Sequence, residues 1–234
     1  MSKIKGEPST KERVWRVMLP IIMAVVLLGI IGFLVFDKGE TGKKWIQLDE
    51  KQEEGSARAS THIISWGDFK KNGGCAWLVV PGIDVDNPVA ISNDDRYLYQ
   101  RFNGVFSFAG SLYMKERVED GDFLTVVYGH DMIFGSMFGK ISKFKDPSFM
   151  TDHKKFFFQT EDKVRVYTIT KYVTEDDRDL MTFLEQSGKK EFCKRYGLNQ
   201  DGEYLFLSAV KYAGSKRKLL IGTLESTETL GSLS

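Results

Sequence analysis

One stretch of the chain is apolar without interruption, whereas its other hydrophobic positions come in short runs. From Val17 to Phe36 twenty residues pass without a charge. A helix of that length spans about 30 Å, the thickness of a bilayer's hydrocarbon core. Pro20 falls in its first turn, where a missing N–H costs little. The pattern predicts a single membrane-crossing helix over 17–36. A cleaved signal peptide is the competing reading, against which stand the length of the run and the lack of a small-residue cleavage motif after it. Lys3, Lys5, Lys11, Arg13 and Arg16 precede the run and Lys38, Lys43 and Lys44 follow it. That bias favours a cytoplasmic tail over 1–16, with the body of the chain outside the cytoplasm at the cell membrane.

Residues 37–60 are charged and small and read as a juxtamembrane linker, with a helix expected near 45–54. From residue 61 the texture changes to short apolar runs punctuated by turn residues. Strands are expected over 75–82, 85–91, 111–116, 123–130, 156–160, 163–174, 204–212 and 218–224, rich in aromatic and β-branched residues. Lys163 to Thr174 alternates: Val164, Val166, Thr168 and Thr170 share one face, and Arg165, Tyr167, Ile169 and Lys171 the other, as in a half-buried strand. Residues 219–222 are continuously apolar, as in a strand buried on both faces. Helical spacing is weaker and confined to 96–102, 136–144 and 179–197, the last interrupted at Gly188. Many strands with few helices predict a mainly β domain over 61–226, a closed barrel or a sandwich, followed by a short tail over 227–234.

Composition narrows the chemistry. Lys and Arg number 33 against 32 Asp and Glu, so no overall field recruits nucleic acid. Cys75 and Cys193 are too few for a disulfide scaffold and read as two half-buried thiols, although the sequence leaves open whether they pair. No spacing of His, Cys, Asp and Glu resembles a metal site, and no phosphate-binding or nucleophile-elbow motif occurs, so no metal or cofactor is expected. The acidic turns at 119–122 and 174–179 read as solvated loops before they read as weak calcium sites. Of three histidines, His62 and His153 sit in polar surroundings and read as solvated. His130 closes the apolar run FLTVVYG and opens a loop rich in Gly and Met, a placement suited to a general acid or base. The competing reading is a structural histidine bonded to its own loop.

Four segments in order, 74–104, 109–117, 126–153 and 204–224, resemble the class B sortases. The likeness covers about residues 62–225. It is most specific in VVYGHDMIFGSMFGKISKF, around the family's catalytic histidine. The resemblance implies a β-barrel of about eight strands with a groove on one face. In that family a cysteine attacks the peptide bond of a sorting signal, a histidine acts as general acid or base, and an arginine steadies the developing oxyanion.

Carried over by position, the histidine is His130 and the arginine Arg217, with a shift to Lys216 or Lys218 left open. The family's cysteine lies in L-x-L-S-T-C-x-Y. This chain reads Leu205, Phe206, Leu207, Ser208, Ala209, Val210, Lys211, Tyr212, so the nucleophile position falls on Val210 and the preceding threonine on Ala209. Valine has no lone pair and no ionisable proton, and cannot form an acyl-enzyme. Ser208 shares its strand face about 6.5–7 Å away, too far to inherit the same geometry. Asp131 stands where the family often has asparagine and is expected to raise the pKa of His130. Ser208, Ala209, Asp131 and Tyr212 are the expected groove residues. The resemblance thus implies an inactive pseudo-sortase that binds an extended sorting-signal peptide or a surface or pilin protein. The alternative is a working transpeptidase with an unexpected nucleophile.

Overall fold

The computed structural model describes residues 62–133, 135–176, 180, 188–212 and 215–230, together with 18–20, 23 and the strand at 46–47. The chain divides into two compact units, Met1–Glu40 and Thr41–Ser234. Most of the expected span 17–36 and of the linker 37–60 lies outside the described residues. No helix among the described residues is long and apolar enough to cross a membrane.

The second unit is a closed barrel of eight strands. They are β3 (Gly74–Val80), β4 (Val85–Ile91), β5 (Leu112–Met114), β6 (Leu124–His130), β7 (Lys155–Gln159), β8 (Lys163–Glu175), β9 (Tyr204–Val210) and β10 (Arg217–Thr229). Around the barrel they run β10-β8-β7-β3-β4-β5-β6-β9, with β9 pairing back onto β10. Each barrel strand has two neighbours, although Ser226–Thr229 of β10 pair with β8 alone. Two of the pairings are parallel, β4 with β5 and β6 with β9. A two-stranded ribbon, β1 (Ile46–Gln47) with β2 (Ile63–Ile64), precedes the barrel. Residues 46–47 are therefore strand, and the helix expected near 45–54 does not start there.

The interior is filled by side chains that alternate inward, among them Leu78, Val89, Leu112, Val127, Phe138, Phe156, Leu207 and Leu220. The outer faces are covered too. Phe69, Trp77, Phe102, Tyr113 and Tyr128 form one flank cluster, and Phe192, Tyr196, Tyr204, Phe206 and Leu219 another. This second layer corrects the reading of β8. Val164, Arg165, Val166 and Tyr167 are all buried, and burial becomes patchy only from Thr168. The Leu219–Ile221 stretch is buried on both faces, as its continuous apolarity predicts. Strand β10 runs on to Thr229 in register with Lys163, so the barrel consumes the start of the expected tail. Its exposed polar residues there, Glu225 to Thr229, conceal a strand that pairs through the backbone.

Helix is scarce. Within 96–102 only a 3-10 turn forms, Arg96–Leu98, and within 136–144 the turn Ile141–Lys145 begins. Of the long helical pattern, Lys189–Tyr196 is a helix that starts at Gly188 and is closed by Gly197 at φ 65°. Residues 177–179 and 181–187 lie outside the described ones. Both cysteines are buried and free.

Candidate functional site

Three strands bring the sequence-predicted residues together. β6 and β9 run parallel with His130 opposite Val210 and Tyr128 opposite Ser208. β9 and β10 run antiparallel with Ala209 opposite Lys218, the last pair of that ladder, so Val210 and Arg217 are the next residues at the adjoining ends of the two strands. His130, Val210 and Arg217 thus form one row across adjacent strands, about 4.8 Å apart. Pleating decides which side they share. Leu205, Leu207 and Ala209 point into the barrel, so Ser208 and Val210 point out of it, as do Tyr128 and His130. Val210 is the middle of the row, and buried.

His130 is anchored from a neighbouring loop. Its Nδ1 lies 2.9 Å from the carbonyl oxygen of Phe108, which only accepts, so Nδ1 carries the proton. Nε2 is then the basic nitrogen, and it is buried with no hydrogen-bond partner among the described residues. The ring meets Tyr99 edge-on at 5.3 Å. Burial pushes the imidazole below the ordinary histidine value, against the opposing pull of the Phe108 carbonyl. The structure therefore reverses the expectation for Asp131. Its carboxylate turns to Lys218, with Oδ2 2.5 Å from Nζ, and its amide donates to the Val210 carbonyl at 2.9 Å.

That ion pair also sorts the three candidate cations. Lys218 is held by Asp131, Lys216 is exposed, and Arg217 is buried in the row. Arg217 Nη1 donates to Ser208 Oγ at 3.1 Å, and the guanidinium lies over the Tyr128 ring at 5.6 Å. Tyr128 stacks in turn on Tyr113 at 5.3 Å, whose hydroxyl donates to Asp95. Tyr212 lies past the end of β9 and is exposed. Ala209 points into the barrel and away from this face, because alternate residues of a strand oppose each other.

Other sequence-level readings change. His62 is not solvated: Asp86 Oδ1 takes its Nε2 at 2.7 Å and the Trp77 indole N–H at 2.6 Å. Its backbone is clamped by both ends of the Gln159 amide. His153 packs edge-on against Phe149. No cluster of three or more His, Cys, Asp or Glu among the described residues is placed to hold a metal. In the acidic turn at 119–122, Asp120 is instead taken by Lys163 and Arg165.

Sequence reasoning missed the loop that shapes the site. Between the turn Arg96–Leu98 and β5 it supplies the Phe108 carbonyl and the exposed side chains of Tyr99, Val105, Phe106 and Phe108. The signal available was V-F-S-F, three large apolar residues in a turn-rich stretch without a strand's length. Gly110, at φ 62°, lets the loop close against the backbone of Leu98, 2.5 Å from where a Cβ would stand.

A closed eight-stranded barrel of this order is the kind of barrel that comparison with known proteins finds in the class B sortases. No protein-family model matches the chain. Sortase B of Listeria monocytogenes is 27% identical over 157 residues, 64% of this chain; the chain spans 62% of the length of that relative. A mutant form of Clostridium perfringens sortase B superposes with a TM-score of 0.61 at 26% identity, covering 69% of this chain and 87% of that one. The Staphylococcus aureus sortase B–substrate complex gives 0.61 at 16% identity, over 69% and 83%, a likeness of fold. The chain is a homologue of the class B sortases, with their closed barrel.

Proposed function

We propose that this chain is a sortase-fold pseudoenzyme that holds an extended sorting-signal peptide, or the segment of a surface protein that carries one, without cleaving it. One observation carries the reading: Val210 occupies the middle of the row between His130 and Arg217, at the point where a nucleophile would need to stand. A valine there offers no electron pair, so no acyl-enzyme forms whatever the flanking residues do. The surroundings are nevertheless those of a binding surface. Tyr99, Phe106 and Phe108 present aromatic area to solvent beside the row, which suits apolar side chains of an extended chain. Arg217 is fixed by Ser208 and Tyr128, and supplies directed donors for a peptide carbonyl. Staphylococcus aureus sortase B, which has the same fold, forms a complex with its substrate. The apolar run 17–36 would tether the domain to the outer face of a Gram-positive-type membrane.

Calorimetric titration of the chain with a panel of sorting-signal peptides tests this. Saturable binding with no cleaved product after prolonged incubation is the expected result; turnover, or binding to none of the panel, contradicts it. The rival is a transpeptidase using Ser208, whose hydroxyl Arg217 contacts directly. Ser208 lies opposite Tyr128 and not opposite His130, so the base is one row away. A peptide vinyl sulfone followed by mass spectrometry separates the two: an adduct on Ser208 would establish the rival.

A further inference from the structure

The row cannot be touched as it stands. Ser208, Val210, His130 and Arg217 sit on the outer side of the barrel wall, yet none of them exposes more than 7% of its surface. Side chains that leave a barrel and are still buried have a cover outside it. Part of that cover is the segment 99–108, between the turn Arg96–Leu98 and β5. His130 Nδ1 donates to its Phe108 carbonyl oxygen at 2.9 Å, and its Tyr99 ring stands edge-on to the imidazole at 5.3 Å.

The segment is folded on itself. The Ser107 amide donates to the Tyr99 carbonyl at 2.9 Å, that of Arg101 to Val105 at 2.7 Å, and that of Gly104 to Arg101 at 2.8 Å. Gln100 and Phe106 add a bridge, so the segment is a small hairpin that can move as one piece. Its base is pinned where the Ser111 amide donates to the Tyr97 carbonyl at 2.8 Å and Gly110 packs on the backbone of Tyr97 and Leu98. Beyond the base, buried Phe102 plugs it into the body by stacking on Phe69 at 5.1 Å. Tyr99, Val105, Phe106 and Phe108 are exposed. A segment whose backbone bonds are internal and whose apolar side chains mostly face solvent opens at less expense than the whole domain.

We propose that residues 99–108 are a strap over the row, and that an extended peptide reaches His130, Val210 and Arg217 only after this hairpin lifts about its base at Tyr97 and Ser111. The peptide as occupant rests on the function proposed for the row; the strap itself does not. Lifting uncovers His130 Nε2, which has no hydrogen-bond partner among the described residues. A peptide N–H donated to that nitrogen is an interaction the closed form lacks, which is what lets a ligand favour the open one.

Thiol labelling tests the strap without any peptide. Val210→Cys, close to neutral in volume, puts a thiol beneath it, and Cys75, buried in the barrel core, reports global opening in the same molecule. The full chain is treated with iodoacetamide and each site is read by peptide mass mapping. The introduced thiol should react at least about tenfold slower than in the urea-unfolded chain, and at least about tenfold faster than Cys75. Phe102→Leu loosens the plug and should speed the introduced thiol about tenfold more than it speeds Cys75. A thiol as reactive as in the unfolded chain means an open row and overturns the proposal. Labelling no faster than Cys75, or equal acceleration of the two by Phe102→Leu, overturns it as well, because the row would then open only with the whole barrel. A chain that labels as expected and binds no sorting-signal peptide in calorimetry supports the strap and refutes the peptide as its occupant.

Discussion

Gly129 precedes His130 on β6 and faces the barrel interior, and adding one methyl group there should cost more than any exposed change near the site. A Cβ at Gly129 would stand 2.5 Å from Leu112 Cδ2 and 2.8 Å from Phe138 Cδ2. Both neighbours are fully buried in the core, so neither can swing into solvent. Over-packing of this kind costs about 1–3 kcal/mol, and for a chain of this size about 2 kcal/mol lowers the melting temperature by roughly 4–8 °C. The same strain bears on the residue that carries the His130 ring, so its hydrogen bond to Phe108 should loosen as well. Gly67, in the helix Trp66–Lys71, has nothing within 4 Å of where its Cβ would be. Gly67→Ala should therefore raise stability by about 0.4–1 kcal/mol through helix propensity and a less disordered unfolded chain. Thermal unfolding followed by tryptophan fluorescence and calorimetry measures both on the purified chain. A Gly129→Ala variant as stable as the parent would refute the packing argument for β6, and with it the account of how His130 is held.

Three further outcomes follow from the electrostatics and burial. His130 should be neutral at pH 7, with its proton on Nδ1, and titrate below the ordinary histidine value. Its folded pKa lies below its unfolded one, so stability should fall as pH drops through the unfolded value towards the folded one and level off beneath; nitrogen NMR showing a proton on Nε2, or a midpoint above 6.5, would contradict this. Asp86→Ala should cost about 1–3 kcal/mol in urea unfolding, because it strands the indole N–H of the fully buried Trp77 and frees His62. Burial alone would raise the Asp86 pKa, but the bonds from His62 and Trp77 bring it below the usual carboxylate value. Its contribution should thus be present above the unfolded carboxylate value and lost as pH falls through the folded one; flat stability across that window would count against the network. Cys75, whose thiol burial pushes up to about 12 against the opposing pull of Arg117, should resist alkylation at pH 8 in the folded chain and react once it is unfolded. Rapid labelling of the native protein at Cys75 would be the contrary result.

The strand pattern was legible because each run of β3 to β10 carries its own apolar signature and its own turn residues. Leu207, Ser208 and Tyr212 also fixed the register that puts Val210 beside the expected base and arginine. Other features rest on non-local pairing, which no window of sequence contains. The parallel ladder that sets His130 against Val210 joins residues 80 positions apart. The double burial of β8 comes from side chains on other strands, and so does the capture of Asp131 by Lys218 across two strand ends. Loops were the least legible. Phe108 acts on His130 through its backbone carbonyl, a group every residue has, and His62 is held by partners 24 and 97 residues away.

The most direct test of the central claim is to restore the thiol. The chain and its Val210→Cys variant would each be incubated with fluorogenic sorting-signal peptides, and product identified by mass spectrometry. Cleavage by the variant alone is the predicted result, since a cysteine in the middle of the row has the His130 base on one side and Arg217 on the other. Cleavage by the unaltered chain would contradict the account, as would a folded variant that binds these peptides and never acylates.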